Sequence, residues 1–398
     1  LVGYKNGILC GSDATPSGEL SSSSSRIVIG NRVDGNNRDY NGTMDEVMIF
    51  NKSLTTDEVL SLYNATRLSH TEVVSEGNYN YTVYSSNTAG NVNSSSISFS
   101  VDESLPTLSI DAPLNASYGG SVLFNVSSSE EGTGFIVPNL DGKLVGWWRM
   151  DDVNGSGDVV DYLGVNNGSA IADAVQVDGG KFGKGFEFEG DDDYIDLNKK
   201  IIDTPASFSA FAWVYHKEDG YDAIISQDNA GRGWFIAALN NDFRFRIYNT
   251  IGGSFENTTS SDTIPLNTWT HVGIRVDNSS KTIEGYVNGA RVSSMVYTGI
   301  LETTEATGTH IGRTLSDSYV WNGTLDEVMI FNKSLTDDEV WALYNATRLS
   351  HTEVVAEGNH NYTAYSSDVA GNVNSSSFSF SVDEILPSLS IDAPLNVS

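Results

Sequence analysis

The sequence is poor in cysteine and proline. It contains a single cysteine, Cys10, and eight prolines. One cysteine excludes a disulfide framework within the chain, so cysteine content says nothing about the redox state of its compartment. No run of roughly 18 apolar residues and no signal peptide occurs, so this segment is not predicted to insert into a membrane.

Basic residues are also scarce. Lys and Arg together number 22 against 52 Asp and Glu, which gives a net charge of -30. Because nucleic acids and phosphate ligands require a basic surface, this balance excludes a nucleic-acid partner. An acidic surface suits divalent cations or serves simply for solvation, and the composition leaves both interpretations open.

Helix-forming segments are few, and short apolar runs dominate the chain. Runs such as RIVIG, SISFSV and FRFRIY recur between turn residues, a pattern typical of all-β sandwiches and jelly rolls. Alternation with period two in FSAFAWV and FRFRI predicts buried positions for four aromatic residues. These are Phe208, Trp213, Phe243 and Phe245.

One helix is predicted in the stretch LTDDEVWALYN. Thr336 and Glu339 have the spacing of a capping box, and the same cap recurs near Thr55. The residues predicted to share the apolar face of this helix are Val340, Leu343 and Tyr344.

A long tandem repeat organises the chain. Residues 41–117 align without gaps on residues 322–398 at a constant offset of 281, with 13 differences. This period far exceeds the roughly 20 to 50 residues of solenoid units, so each unit holds a whole domain or more. A weaker match continues upstream, where GYKNG at Gly3 corresponds to GYVNG at Gly285. We therefore expect the chain to open inside one unit and to belong to a longer array of copies.

Several motifs from Leu144 onward follow a characteristic order. They include LVGWWRMDD, GKFGKGFEFEGDDDYIDL, NTWTHVGIRVD, EGYVNGARV, THIGR and NGTLDEVMIFNKSLTDDEVWALYN. In that order they resemble the laminin G-like jelly rolls of the concanavalin A-like superfamily. The resemblance implies two packed antiparallel sheets, closed by the last strand and by the short capped helix.

The segments on either side of this stretch resemble a second family. GNHNYTAYSSDVAGNVN and SFSFSVDEILPSLSIDAPLN are similar to the end of one prokaryotic Ig-like surface-protein domain and the start of the next. The opening strands lie within 106–131 and the closing strands within 360–383, and neither half has enough strands for a seven-stranded sandwich. We therefore expect the jelly roll to be inserted in a loop of an Ig-like domain, which is tolerated where the host ends lie close together.

The predicted fold class is all-β, with a concanavalin A-like jelly roll inserted in a tandem Ig-like β-sandwich array. The predicted segments are the C-terminal part of a first jelly roll at 1–64, closing strands of a first Ig-like domain at 65–103, a second Ig-like domain at 105–141 plus 346–383, the inserted jelly roll at 142–345, and the first strand of a third Ig-like domain at 385–398.

The jelly-roll resemblance also implies a calcium ion. In related proteins an Asp of the final strand meets acids near the first strand at calcium, which implies Asp326 as a ligand with Asp152 and Asp151 beside it. Asp45 is the counterpart of Asp326 in the first copy. Carboxylate crowding in GDDDY makes the loop around Asp193 a second candidate. A strand-turn cap at Asp326 and a solvated acidic loop remain the alternatives.

Catalytic patterns are absent from the sequence. The Glu-x-Asp-x-x-Glu arrangement of the related glucanases, which supplies the paired carboxylates of glycoside hydrolysis, does not occur. EFEGDDD comes nearest, but Gly190 interrupts it. His216, His271 and His310 are far apart without helical pairing, which argues against a zinc site. We expect no enzymatic activity.

Aromatic residues in loop-like contexts suggest sugar binding. Trp234 and Trp321, with Phe235 and Tyr319, stand among Gly, Asp and Ser, and exposed aromatic rings stack on pyranose faces. Burial in the sandwich core is the alternative, because it is the commoner fate of aromatics in β-sandwiches.

Asn-x-Ser/Thr triplets are unusually frequent and predict an extracellular location with glycosylation. A composition rich in Asn, Ser and Thr is the alternative cause. The asparagines are Asn41, Asn51, Asn64, Asn80, Asn93, Asn115, Asn125, Asn154, Asn167, Asn257, Asn278, Asn322, Asn332, Asn345, Asn361, Asn374 and Asn396.

Two functions therefore follow from the sequence. The first is a structural cell-surface filament or stalk, in which Ig-like domains of neighbouring copies form the shaft and jelly rolls project from it. The second is a calcium-dependent adhesin or lectin that binds surface glycans. The near-identity of the Ig-proximal segments favours the first, because junctions in a fibre must be interchangeable.

Overall fold

The computed structural model describes residues 1–12, 27–31, 40–64, 67–129, 134–203, 207–229, 232–250, 253–260, 262–302, 308–315, 319–385 and 388. They form two compact units, Leu1–Val101 and Asp102–Ser398. Asn396 and most of the predicted 385–398 strand lie outside these residues. No helix in the described parts of the chain is long and apolar enough to span a membrane.

Among the residues described for the first unit are two antiparallel hairpins and one helix. Its elements are β1 (Val2–Lys5), β2 (Ile8–Ser12), α1 (Thr56–Asn64), β3 (Gly77–Ser86) and β4 (Val92–Val101). β1 pairs with β2 and β3 pairs with β4. The predicted cap near Thr55 is confirmed, since the Thr55 amide donates to Glu58 and the Glu58 amide donates to the Thr55 hydroxyl.

In its described residues, the second unit contains 22 strands and one helix. In chain order they are β5 (Leu108–Ala112), β6 (Ser117–Tyr118), β7 (Ser121–Ser128), β8 (Phe135–Leu140), β9 (Leu144–Trp148), β10 (Ser169–Ile171), β11 (Val175–Asp178), β12 (Lys184–Glu189), β13 (Tyr194–Asp196), β14 (Phe208–His216), β15 (Tyr221–Asn229), β16 (Arg232–Leu239), β17 (Asp242–Tyr248), β18 (Ser254–Thr258), β19 (Trp269–Asp277), β20 (Thr282–Val287), β21 (Ala290–Val296), β22 (His310–Ile311), β23 (Asn322–Phe331), α2 (Asp337–Asn345), β24 (Arg348–Val354), β25 (Gly358–Ser367) and β26 (Val373–Val382).

Strands β9 to β23 form a two-sheet sandwich, hereafter the jelly roll. One sheet has seven strands in the order β10-β13-β22-β15-β16-β17-β18. The other has eight strands: seven in the order β11-β12-β23-β14-β19-β20-β21, and β9, which pairs with β23. The predicted architecture of two packed antiparallel sheets is confirmed. Their facing sides share one core that includes Phe186, Phe245 and Ile274.

Alternation along the strands explains which residues enter that core. Phe208, Phe243 and Phe245 lie in it as predicted. Trp213 is buried too, but it belongs to a second cluster on the opposite face of the eight-stranded sheet. Side chains of β14 therefore alternate between the two faces of the sheet, as predicted. Both faces are covered, however, so the prediction that Trp213 is buried did not specify which face it lies on.

Helix α2 has the predicted capping box. The Glu339 amide donates to the Thr336 hydroxyl and the Thr336 amide donates to the Glu339 carboxylate. Two members of the predicted apolar face, Val340 and Leu343, are buried. Together with Tyr344, which is half-buried, they pack on the outer face of the eight-stranded sheet.

Two smaller sheets surround a third core in the same unit. Their strand orders are β24-β7-β5 and β6-β26-β25-β8, so strands that precede the jelly roll pair with strands that follow it. β7 pairs with β24 and β8 pairs with β25, both antiparallel, and β6 runs parallel to β26. Phe124, Tyr362 and Phe380 meet in the core between these sheets. We call this pair of sheets the flanking sandwich.

Candidate functional site

The predicted calcium residue Asp326 lies in strand β23, fully buried. Its Oδ1 accepts a hydrogen bond from the Glu327 amide at 2.7 Å, and its Oδ2 accepts one from the Phe182 amide at 2.9 Å. In the same turn, the Lys184 amide donates to Oδ1 of Asp151 at 2.6 Å. The GKFGK turn thus holds two of the predicted calcium ligands with backbone amides.

Two glycines make that close approach feasible. A Cβ atom at Gly180 would stand 2.8 Å from Oδ2 of Asp326, and Gly183 has a φ of 60°, a conformation that favours glycine. A bulge in β23 also helps to position the Asp326 side chain. Trp213 of β14 pairs with Asp326 and Phe211 pairs with Met329, so residues two apart in β14 face residues three apart in β23. Such bulges re-aim side chains.

Arg149 neutralises the acids beside Asp326. Its Nη2 donates to Oδ2 of Asp151 at 2.7 Å, and its Nη1 lies 3.4 Å from Oδ2 of Asp152. Nη2 also donates to the Gly371 carbonyl of the flanking sandwich. Beside this network, Trp147 Nε1 donates to Oε2 of Glu327. We call Arg149, Asp151, Asp152, Asp326 and Glu327 the acidic seam.

Burial controls the ionisation of the acidic seam. It raises the pKa of Glu327 to about 8 and that of Asp151 to about 6. Burial, together with the neighbouring charge of Glu327, raises the pKa of Asp326 well above its ordinary value. Low-dielectric surroundings disfavour the charged carboxylate, so the seam is expected to hold protons near neutral pH.

This arrangement does not suit a calcium ion. Calcium takes six to eight oxygen ligands at roughly 2.3–2.6 Å, whereas backbone amides already bind both oxygens of Asp326 and a guanidinium pairs with the other two acids. Asp193 lies in a different loop, where its Oδ2 accepts the Glu189 amide. Asp45 is exposed in the first unit and accepts the Glu46 amide. Calcium elsewhere in the domain stays a prediction.

Two other clusters bring acids and a histidine together among the described residues. They are Glu339, His351 and Glu353, and their repeat copies Glu58, His70 and Glu72. In the first cluster the Lys333 ammonium stands 2.9 Å from Glu339 and 2.6 Å from Glu353. An ammonium therefore already neutralises these carboxylates, and the cluster ties α2 to β24.

The predicted sugar-binding tryptophans are wrongly assigned. Trp234 and Trp321 are both 0 % exposed. Trp234 packs on Phe208 in the jelly-roll core, and Trp321 stacks on His216 at a centroid distance of 4.8 Å. Neither ring reaches a ligand in solvent, because both side chains are buried.

The outer face of the seven-stranded sheet carries a different aromatic surface. Phe243, Phe245 and Ile247 of β17 point into the core, so the residues between them point outward. These outward residues, with their neighbours across the sheet, form what we call the aromatic–arginine face. It consists of Tyr221, Phe235, Arg244, Arg246, Tyr248, Glu256 and Tyr319.

Rings and guanidinium groups interleave on this face. Tyr221 and Tyr319 stack with centroids 3.6 Å apart, and the Arg244 guanidinium lies 4.7 Å from the Tyr221 ring centroid. The Arg246 guanidinium lies 5.4 Å from the Phe235 ring. Stacking of this kind fixes the planes of the guanidinium groups.

Sequence reasoning considered Phe235 and Tyr319 but missed the two arginines. The signal was present in FRFRIY, where arginine alternates with the predicted core phenylalanines. If Phe243 and Phe245 are buried, Arg244 and Arg246 must share the opposite face. Which sheet face stays accessible could not be read from that pattern.

Packing within the second unit determines which sheet face of the jelly roll stays accessible. The outer face of the eight-stranded sheet meets α2 and the flanking sandwich, with Trp147 lying 6.2 Å from Phe135 and 5.5 Å from Tyr365 between ring centroids. On the aromatic–arginine face, Tyr221, Arg244, Arg246 and Tyr248 remain partly exposed. The jelly roll therefore packs on α2 and the flanking sandwich through its eight-stranded sheet, and the outer face of its seven-stranded sheet remains accessible.

Several solved structures are similar to about half of this chain. The binding domain of Paraclostridial Mosquitocidal Protein 1 is 18 % identical, with 51 % of this chain and 52 % of that chain covered and a TM-score of 0.41. The CBM40 domain of the Ruminococcus gnavus IT-sialidase, bound to α2,3-sialyllactose, is 15 % identical over 43 % of this chain and 98 % of its own, with a TM-score of 0.36.

Domain 4 of the extracellular arabinanase AbnA of Geobacillus stearothermophilus, in complex with arabinotriose, is 21 % identical over 51 % of this chain and 98 % of its own, with a TM-score of 0.40. The chain spans about half the length of the mosquitocidal binding domain. No protein of curated function matches the sequence.

A sequence model of one family matches residues 2–60 and 189–341, which is just over half of the chain and includes parts of both copies of the repeat. The matched residues include strands of both jelly-roll sheets and most of helix α2. The chain belongs to the concanavalin A-like lectin/glucanases superfamily.

Proposed function

We propose that this protein binds carbohydrate outside the cell through the aromatic–arginine face of its jelly roll. The observation that carries the proposal is the asymmetry of the two sheets: one is covered by α2 and the flanking sandwich, and the other presents rings and guanidinium groups. This corresponds to the lectin-like prediction rather than the purely structural one.

The chemistry of the face suits a saccharide. Aromatic rings pack against the apolar C–H faces of a pyranose, and the partly exposed Tyr319, which stacks on Tyr221, is suited to that contact. Each guanidinium carries five N–H donors for sugar hydroxyl groups. Membership of a superfamily of lectins and glucanases is consistent with such a ligand.

We propose binding without catalysis. Glycoside hydrolysis requires a carboxylic acid that donates a proton to the leaving group. On this face Glu256 pairs with Arg244 and Arg246. Burial acts to raise the pKa of Glu256, but its hydrogen bond to Arg246 and the charges of both arginines outweigh burial and lower that pKa. A carboxyl group with a lowered pKa is a poor proton donor.

The surroundings of the jelly roll are proposed as an Ig-like scaffold. The pairing of β7 with β24 and of β8 with β25 supports a single domain formed by 105–141 and 346–383, with 142–345 inserted. The Ig-like identity, the remaining domain boundaries and the extracellular location are part of this proposal. None of the sequon asparagines in the described residues is buried, which supports their glycosylation.

A structural role in a fibre is the second candidate. The repeat favours it, because residues 41–117 and 322–398 differ at only 13 positions and would provide interchangeable junctions between neighbouring copies. Negative-stain electron microscopy of a chain with several repeats should then show regularly spaced lobes along a shaft. Collapsed or irregular particles would contradict the fibre.

A glycan array tests the carbohydrate-binding proposal. The protein is expected to bind a defined subset of glycans, and the double variant Tyr221→Ala/Tyr319→Ala to lose that signal about 10-fold or more, since an aromatic contact on a sugar is worth on the order of 1 kcal/mol or more. Trp341→Ala, on the exposed side of α2, serves as a matched control. Repeating the array with chelator tests calcium. Unchanged binding by the double variant would overturn the proposal.

A further inference from the structure

The two outward arginines of β17 stand apart from the charge of the chain. The net charge is -30, and only 22 residues are Lys or Arg. Arg244 and Arg246 nevertheless lie two residues apart on one strand, and alternation points both to the aromatic–arginine face. In an acidic protein, a paired cationic site on the accessible sheet is suited to an anionic ligand.

Both guanidinium groups share one carboxylate oxygen. Nη2 of Arg244 lies 3.0 Å, and Nε of Arg246 2.7 Å, from Oε2 of Glu256. Glu256 belongs to β18, the edge strand of the sheet, and its side chain is 48 % exposed. Two guanidinium groups thus converge on one carboxylate, and that carboxylate occupies an accessible position.

The arginines are held in place by contacts other than Glu256. The Tyr221 ring lies under Arg244 at 4.7 Å and the Phe235 ring lies under Arg246 at 5.4 Å. Nη1 of Arg246 also donates to the Tyr248 hydroxyl at 3.1 Å. If Glu256 swings away, these contacts keep both guanidinium planes oriented, so the site is preorganised for a second carboxylate.

We infer that the ligand is a saccharide that carries a carboxylate, such as a uronic acid, and that this carboxylate replaces Glu256 between Arg244 and Arg246. The inference rests on the proposed carbohydrate binding and names its ligand class. Arginine pairs with planar carboxylates through parallel N–H donors. The sugar ring then lies beside the carboxylate, against Tyr319, which stacks on Tyr221.

A matched pair of probes tests the inference in isothermal titration calorimetry. Oligogalacturonate and its methyl ester share the same sugar backbone, but the carboxyl groups are charged in the acid and are neutral methyl esters in the other probe. The protein is expected to bind the acid at least 10-fold more tightly, and Arg246→Gln to weaken binding of the acid about 10- to 100-fold, as expected for a lost charged hydrogen bond. Binding of the ester should weaken much less in this variant, because the ester has no charged carboxylate for Arg246 to pair with.

Two further variants sharpen the test. Glu256→Gln removes the internal competitor and is expected to tighten binding of the acid by up to about 5-fold, the range of an exposed ion pair. Arg232→Gln removes an arginine of the same sheet that pairs instead with Glu302 and should have no effect. Thermal unfolding of each variant checks that the fold is retained.

The outcomes separate the two proposals. Equal binding of acid and ester that Tyr221→Ala weakens would retain carbohydrate binding and overturn the carboxylate assignment. Equal affinity for a sulfated glucan, which is anionic but has no carboxylate, and for oligogalacturonate would also overturn it, because the site would then recognise any anion. Failure of every saccharide on the array and in calorimetry would overturn both.

Discussion

Replacing Trp147 with alanine is expected to lower the free energy of unfolding of the second unit by about 3 to 5 kcal/mol. The Trp147 side chain is 0 % exposed and lies between the jelly roll and the flanking sandwich. Its ring contacts Phe135 and Tyr365 of the sandwich and lies 4.7 Å from Tyr162. Alanine would leave a cavity at this junction and would remove the donor to Glu327.

Urea unfolding followed by circular dichroism measures this effect. Trp341→Ala is the matched control, because Trp341 is 49 % exposed on α2, and we expect a loss of less than about 1 kcal/mol there. A loss in Trp147→Ala no larger than in the control would contradict the role assigned to the buried junction.

Raising the pH from 5 to 8 is expected to destabilise the second unit steadily. Burial raises the pKa of Glu327 from 4.5 to about 8. Below pH 4.5 the carboxyl group is protonated in both the folded and the unfolded chain. Between 4.5 and about 8 only the folded chain keeps the proton, so each pH unit costs about 1.4 kcal/mol of stability. Above pH 8 this contribution has been lost.

Asp151 adds to the lower part of this range, because burial raises its pKa to about 6. Midpoints of urea unfolding between pH 4.5 and 9 measure the slope. Glu327→Gln mimics the protonated group. It should reduce the slope of unfolding free energy against pH by about 1.4 kcal/mol per pH unit, the effect of one proton. Glu357→Gln, at an exposed position, should leave that slope unchanged. An identical slope in Glu327→Gln and the unmodified protein would refute the assignment.

The acidic seam has a structural consequence as well. Arg149 donates to the Gly371 carbonyl, and the Gly183 amide donates to the Val369 carbonyl at 3.0 Å. Both bonds join the jelly roll to the loop of the flanking sandwich. Carboxylates that sequence resemblance assigned to calcium thus lie where two sandwiches meet, with a guanidinium between them. The positive charge beside these carboxylates is the guanidinium of Arg149.

Much of the architecture follows from local patterns in the sequence. Alternation placed Phe208, Phe243 and Phe245 in the core, and the spacing of Thr336 and Glu339 predicted the cap of α2. These patterns depend on the backbone geometry of a strand or a helix turn, which neighbouring residues determine. For the same reason the two-sheet jelly roll could be inferred from the order of its motifs.

The candidate site depended on contacts that no local pattern encodes. Trp234 and Phe235 are neighbours on β16, yet one ring points into the core and the other points to the aromatic–arginine face. Their loop-like sequence context could not separate them. No local pattern shows either that the Phe182 amide, distant in the chain, donates to Oδ2 of Asp326.

The sequence by itself determined the long repeat, the all-β class and the alternation that places Arg244 and Arg246 on one side of their strand. The tertiary structure alone decided that this side is the accessible one, because it brought α2 and the flanking sandwich onto the other sheet. It also placed Arg149 among the carboxylates of the seam. Alternation specifies two faces of a strand, but only packing between distant segments determines which face is covered and which meets solvent.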